Sequence, residues 1–97
     1  MFPLIKNKHR IDIDYSEAKE SKLIEYLRSN SYKERKWFDS KIFRKGSGIF
    51  TGKFYSIRIE RVGYDNNFGP RHLFITISGN NTQYLKDLKS EIEKIVN

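Results

Sequence analysis

Metal-free cleavage of RNA needs a general base, a general acid and cations that stabilise the phosphorane. In this chain His72, Arg71, Arg58 and Tyr64 are the residues that offer such a set. A solvent-facing His at a strand start satisfies the same pattern with no chemistry, so His72, Arg71 and Tyr64 are weak catalytic candidates only. A second chemistry belongs to Asp12 and Asp14, which fall on one side of an alternating segment and could face a Mg²⁺ ion. Such a site wants a third carboxylate, with Glu17 and Glu20 the nearest in sequence. Acids on the wet side of an edge strand need no metal, and no metal site is assigned. Two histidines and no Cys leave zinc without ligands and exclude thiol catalysis. The sequence implies no cofactor, and a non-enzyme is the favoured expectation.

The third chemistry is stacking beside charge. Phe54, Arg58, His72 and Phe74 share one parity in two alternating segments, opposite to Tyr55, Ile57, Ile59, Leu73, Ile75 and Ile77. Rings beside guanidinium and ammonium groups suit unpaired bases, which stack at about 1–3 kcal/mol each while the cations hold phosphates. The same rings could equally pack under an N-terminal arm or against a second copy of the chain. Lys45-Gly46-Ser47-Gly48 lacks the Gly-Lys-Ser/Thr ending of a phosphate-binding loop and is expected to be a hairpin turn.

The elements that position these residues follow from periodicity. Ile11, Ile13 and Tyr15 alternate with polar residues, which predicts a short strand reaching back to Lys8. Ser16 caps a helix over 17–28 with Leu23, Ile24 and Leu27 at helical spacing. A strand over 35–44 carries Trp37, Phe38, Ile42 and Phe43; its doubled apolars predict a bulge or register break near Asp39-Ser40. Trp37 is expected to anchor the core or a dimer seam. Strands over 49–61 and 71–78 flank a loop over 63–70 that displays Tyr64 and Phe68. A closing helix over 83–96 has Leu85, Leu88, Ile92 and Ile95 as its apolar stripe. The expectation is an α+β fold, a two-layer sandwich of order β-α-β-β-β-α, with a mainly antiparallel sheet and both helices on one face. One domain over 1–97 with a loose arm over 1–8 is the economical division.

Charge is unevenly spread. The chain of 97 residues has 19 Lys and Arg against 12 Asp and Glu, a net charge of +7. Residues 31–61 hold +6 of it, from Lys33, Arg35, Lys36, Lys41, Arg44, Lys45, Lys53, Arg58 and Arg61 against Glu34, Asp39 and Glu60. A particle polarised in this way is drawn to a polyanion. Aromatics at 14% exclude a disordered tail, and no apolar run is long enough to span a membrane. The N-terminal residues do not resemble a signal peptide, and the cytoplasm is the expected location.

The open, aromatic-bearing sheet resembles the RNA-recognition motif in style, but that fold places its second helix before the last strand. The double-stranded-RNA-binding domain shares helix, three strands and helix with residues 17–97. Its basic cluster at the second helix is replaced here by Asn80-Asn81-Thr82-Gln83-Tyr84, and no family is assigned. The leading expectation is a non-enzymatic module that binds single-stranded DNA or RNA through the sheet face. Arg35, Lys36, Lys41, Arg44, Lys45, Lys53 and Arg58 would contact phosphates, and Phe54 and Phe74 would stack. Two alternatives are an accessory protein-binding, inhibitor or adaptor protein acting on a nucleic-acid-processing complex, with a protein partner or a homodimer, and a small metal-free ribonuclease toxin.

Overall fold

The computed structural model describes residues 7–37, 40–48, 53–65, 69–79 and 82–97. Seven elements follow one another: β1 (Asn7–Asp14), α1 (Glu17–Ser29), β2 (Lys33–Trp37), β3 (Ser40–Gly48), β4 (Lys53–Val62), β5 (His72–Gly79) and α2 (Thr82–Val96). The five strands form one antiparallel sheet of order β1-β5-β4-β3-β2, so β1 and β2 are its edges.

The aliphatic alternation places the core as expected. Ile57, Ile59, Leu73, Ile75 and Ile77 are all at most 2% exposed and turn toward the helices, as do Tyr55 and Ile11. α1 contributes Leu23, Ile24 and Leu27. α2 contributes Leu85, Leu88, Ile92 and Val96, with Ile95 only half-buried. Val96 therefore takes the place expected of Ile95, because a step of four from Ile92 keeps it on the covered face. Ser16 caps α1, its hydroxyl accepting from the Lys19 amide at 3.3 Å. Asn30 closes it, donating from Nδ2 to the Tyr26 carbonyl at 2.8 Å.

Three expectations need correction. The segment expected as one strand over 35–44 is two, paired as a hairpin that closes with Trp37 opposite Ser40. The doubled apolars came from a chain reversal, which resets parity: Phe43 is buried on the helix side opposite Glu34, and the side chain of Trp37, expected in the core or a dimer seam, lies outside the described residues. The order is consequently β-α-β-β-β-β-α. Lys45–Gly48 is not a turn but the end of β3, and β4 begins at Lys53 rather than residue 49. Three residue steps from Lys45 to Gly48 face two on β4, from Tyr55 to Lys53, so the glycines absorb an extra residue within the ladder. Asn7, expected in a loose arm, pairs with Gly79, while Lys8 pairs with Ser78 as the expected strand start. The rest of that arm, the Phe38-Asp39 pair and Phe68 lie outside the described residues.

Candidate functional site

Pairing register assigns every strand residue to a face. Over β1, β5 and β4 the outward face carries Lys8, Arg10, Asp12 and Asp14, then His72, Phe74 and Thr76, then Arg58 and Glu60, three cations to three acids. Its charges cancel locally. Arg58 Nε lies 3.6 Å from Glu60 Oε1 and Arg10 Nη2 is 3.8 Å from Asp12 Oδ2, while Asp14 Oδ1 lies 3.9 Å from His72 Nδ1, a ring that carries charge only when protonated. Phe74 is half-buried, with the Arg10 guanidinium 4.6 Å from its ring centroid and Asp12 and Glu60 on the neighbouring strands. A nucleobase would have to displace that cation and bring its phosphates toward two carboxylates. The centre of the sheet is a poor polyanion surface.

The β2–β3 hairpin is different. Its described residues include six cations, Lys33, Arg35, Lys36, Lys41, Arg44 and Lys45, and one acid, Glu34. Glu34 is already engaged, since its Oε1 accepts from Arg28 Nη2 at 2.7 Å and Nε at 3.2 Å. None of the six has an ion-pair partner among the described residues. Register places Lys33 directly opposite Arg44 on the open side, and Lys36 directly opposite Lys41 on the helix side. Like charges facing each other across an antiparallel pair are destabilising, and this hairpin has one such pair on each face. Lys45 also lies on the helix side, 5.4 Å from the Tyr32 ring centroid. A hollow of about 180 Å³ at the root of the hairpin is lined by Ser31, Lys33, Arg35, Arg44 and Lys45.

On the helix side, a groove of about 690 Å³ separates α1 from the hairpin, with Glu17, Glu20, Glu25 and Arg28 on one wall and Lys41 and Arg61 on the other. Its floor holds a bidentate pair. Arg61 Nη2 donates to Glu20 Oε1 at 2.6 Å and Nε donates to Oε2 at 2.9 Å. Glu20 is 4% exposed. Its hydrogen bonds raise the Arg61 pKa and hold the guanidinium charged, outweighing the opposing effect of burial. Behind the groove, Tyr32 is buried with its hydroxyl 2.9 Å from that of Tyr84, and the Tyr84 ring lies 4.0 Å from that of Tyr55. Burial first, and the Tyr84 hydrogen bond second, push the Tyr32 hydroxyl far above the ordinary tyrosine range.

The weak catalytic candidates are not assembled into one site. Tyr64 lines a helix-side hollow with Glu20, Lys36, Lys41 and Arg61, whereas His72 belongs to the open face beside Asp14. Arg71 is held by Asp65 at 2.6 Å, within a loop closed by reciprocal amide bonds between Asp65 and Gly69. The Gly63 turn has φ +70°, and a Cβ there would come within 3.2 Å of the His72 ring. No metal-binding cluster of acids and histidines occurs among the described residues. Asp12 and Asp14 lie on the open face, while Glu20 is consumed by Arg61 in the other layer.

Of the nine residues proposed for nucleic acid, the hairpin brings together Arg35, Lys36, Lys41, Arg44 and Lys45, but on two faces instead of one. Arg58 and Phe74 lie apart from them in the charge-balanced region. Lys53 and Phe54 open β4, and their side chains lie outside the described residues. Sequence reasoning leaves Lys33 out of that set, although it belongs to the same basic stretch as its cross-strand partner Arg44. No helix among the described residues is long and apolar enough to cross a membrane. No family model matches the chain, and neither a curated protein nor a solved structure shows significant similarity to it.

Proposed function

We propose that this chain is a non-enzymatic nucleic-acid-binding module whose principal contact is the β2–β3 hairpin. One observation carries the proposal: six clustered cations, none of them ion-paired among the described residues, in a hairpin whose one described acid, Glu34, is taken up by Arg28. Cations held opposite one another without an ion-pair partner are relieved by a polyanion, which also releases its condensed counterions on binding. The hairpin's charge therefore supplies most of the affinity, and base stacking on Phe74 is secondary.

Fluorescence anisotropy with labelled single-stranded and duplex oligonucleotides, across a salt series, tests this directly. If all six cations contact phosphates, log affinity falls against log salt with a slope of roughly −5 on a duplex, or about −4 on a single strand. Affinity then drops about a thousandfold between 50 and 200 mM salt. Absence of binding to every oligonucleotide at low salt contradicts the proposal, as does binding with no salt dependence.

A further inference from the structure

We infer that the nucleic acid is B-form duplex DNA, entered edge-first through its major groove by the β2–β3 hairpin, with one phosphate backbone against each face of the ribbon. This rests on the nucleic-acid reading above and specifies its ligand. The two like-charge pairs supply the reason. Lys33 and Arg44 face one way and Lys36 and Lys41 the other, so relieving both requires anionic charge on both sides of the same two strands. A single strand laid across the open face presents one line of phosphates. It would answer Lys33, Arg35 and Arg44 and leave the Lys36–Lys41 repulsion in place. A duplex groove has two phosphate walls.

The dimensions agree. Stacked β-layers pack about 10 Å apart, and paired strands lie about 4.8 Å apart. The B-DNA major groove is about 12 Å wide and 8.5 Å deep, and it admits a two-stranded ribbon. The hairpin has the clearance to enter. β2 is an edge strand whose main packing is against β3, and the 690 Å³ groove keeps α1 away from Lys41. Glu17 and Glu25 on the far wall of that groove repel a phosphate backbone, which confines the DNA to the Lys36–Lys41 rim. The A-form RNA duplex is disfavoured, because its major groove is too narrow and deep for side chains to read.

The test compares a 20-base-pair DNA duplex, its separated strand and the equivalent RNA duplex, using wild type and two double variants. Lys36→Gln with Lys41→Gln removes charge from the helix side, and Lys33→Gln with Arg44→Gln removes it from the open side. Both variants relieve repulsion, so thermal melting is expected at or slightly above wild type, which shows that they fold. The expected result is preference for the DNA duplex, with each double variant reducing the magnitude of the salt slope by about 2. Tighter binding to the single strand or the RNA duplex overturns the inference while leaving nucleic-acid binding intact. So does a DNA-duplex affinity unchanged in the helix-side variant. Failure of the wild type to bind any of the three probes removes the underlying reading instead.

Discussion

The sheet has two halves built on opposite electrostatic rules. In β1, β5 and β4 each outward Arg has an acid on its own strand: Arg10 meets Asp12 and Arg58 meets Glu60. Beneath them the inner face is sealed by α1 and α2 over Ile57, Ile59, Leu73, Ile75 and Ile77. In β2 and β3 the cations oppose one another, and apart from Phe43 the described inward residues, Glu34, Lys36, Lys41 and Lys45, are charged. One half gains its stability from burial and paired charge. The other retains like-charge repulsion, the feature on which the proposed nucleic-acid contact rests. Substitutions should therefore separate into those that affect folding and those that affect binding.

The largest effects belong to the covered half. Leu85→Ala removes a fully buried side chain of α2 and should cost about 2–5 kcal/mol in urea unfolding. If the variant proves as stable as wild type, the packing of α2 on the sheet is misassigned. Arg61→Ala leaves the Glu20 carboxylate buried without its partner. Loss of a fully buried pair's partner costs about 3–5 kcal/mol. Arg61 is 39% exposed, so water offsets part of that, and about 2–3 kcal/mol is expected by thermal and chemical melting. Retention of full stability would show that the pair is solvated.

A smaller effect appears at alkaline pH. The folded-state pKa of Tyr32 is raised above its unfolded value of about 10, so its neutral form is favoured by folding. Its contribution is fully present below pH 10 and is lost as pH rises beyond that. Tyrosinate absorbance should show a fraction of hydroxyls ionising only as the fold is lost, and Tyr32→Phe should remove part of that fraction. Ionisation of every tyrosine in the intact fold near pH 10 contradicts this. The smallest effect is expected at Phe74→Leu, which keeps an apolar side chain; losing the ring under Arg10 costs about 0.5–1 kcal/mol of stability and changes DNA affinity less than twofold. A tenfold loss of affinity would return the binding surface to the centre of the sheet.

How much of this was legible depends on the range of the signal. Alternation of Tyr55, Ile57, Ile59, Leu73, Ile75 and Ile77 is a period-two pattern within single strands, and it identified the buried face directly. Arg58 and Glu60, two apart on one strand, could be read in the same way. The reversal between Trp37 and Ser40 is fainter, because the segment lacks Gly, Pro or Asn, and Asp39-Ser40 with a parity defect reads as a bulge as readily as a turn. Missing that reversal leaves the two arms without a register, so spacing alone does not show that Lys33 faces Arg44 or that Lys36 faces Lys41. Charge has no periodicity of its own; only register across the turn assigns a face. Arg61 and Glu20 stand 41 positions apart and meet through tertiary packing alone, which local spacing cannot reveal.

Salt-dependent affinity of the variant Lys33→Gln, Lys36→Gln, Lys41→Gln, Arg44→Gln for a DNA duplex, measured beside wild type, addresses the hairpin most directly. With four phosphate contacts removed and the fold verified by melting, the slope of log affinity against log salt should lose about 3.6 in magnitude. An unchanged slope, in a folded protein that still binds, would locate the nucleic-acid contact elsewhere and contradict the role assigned to the hairpin.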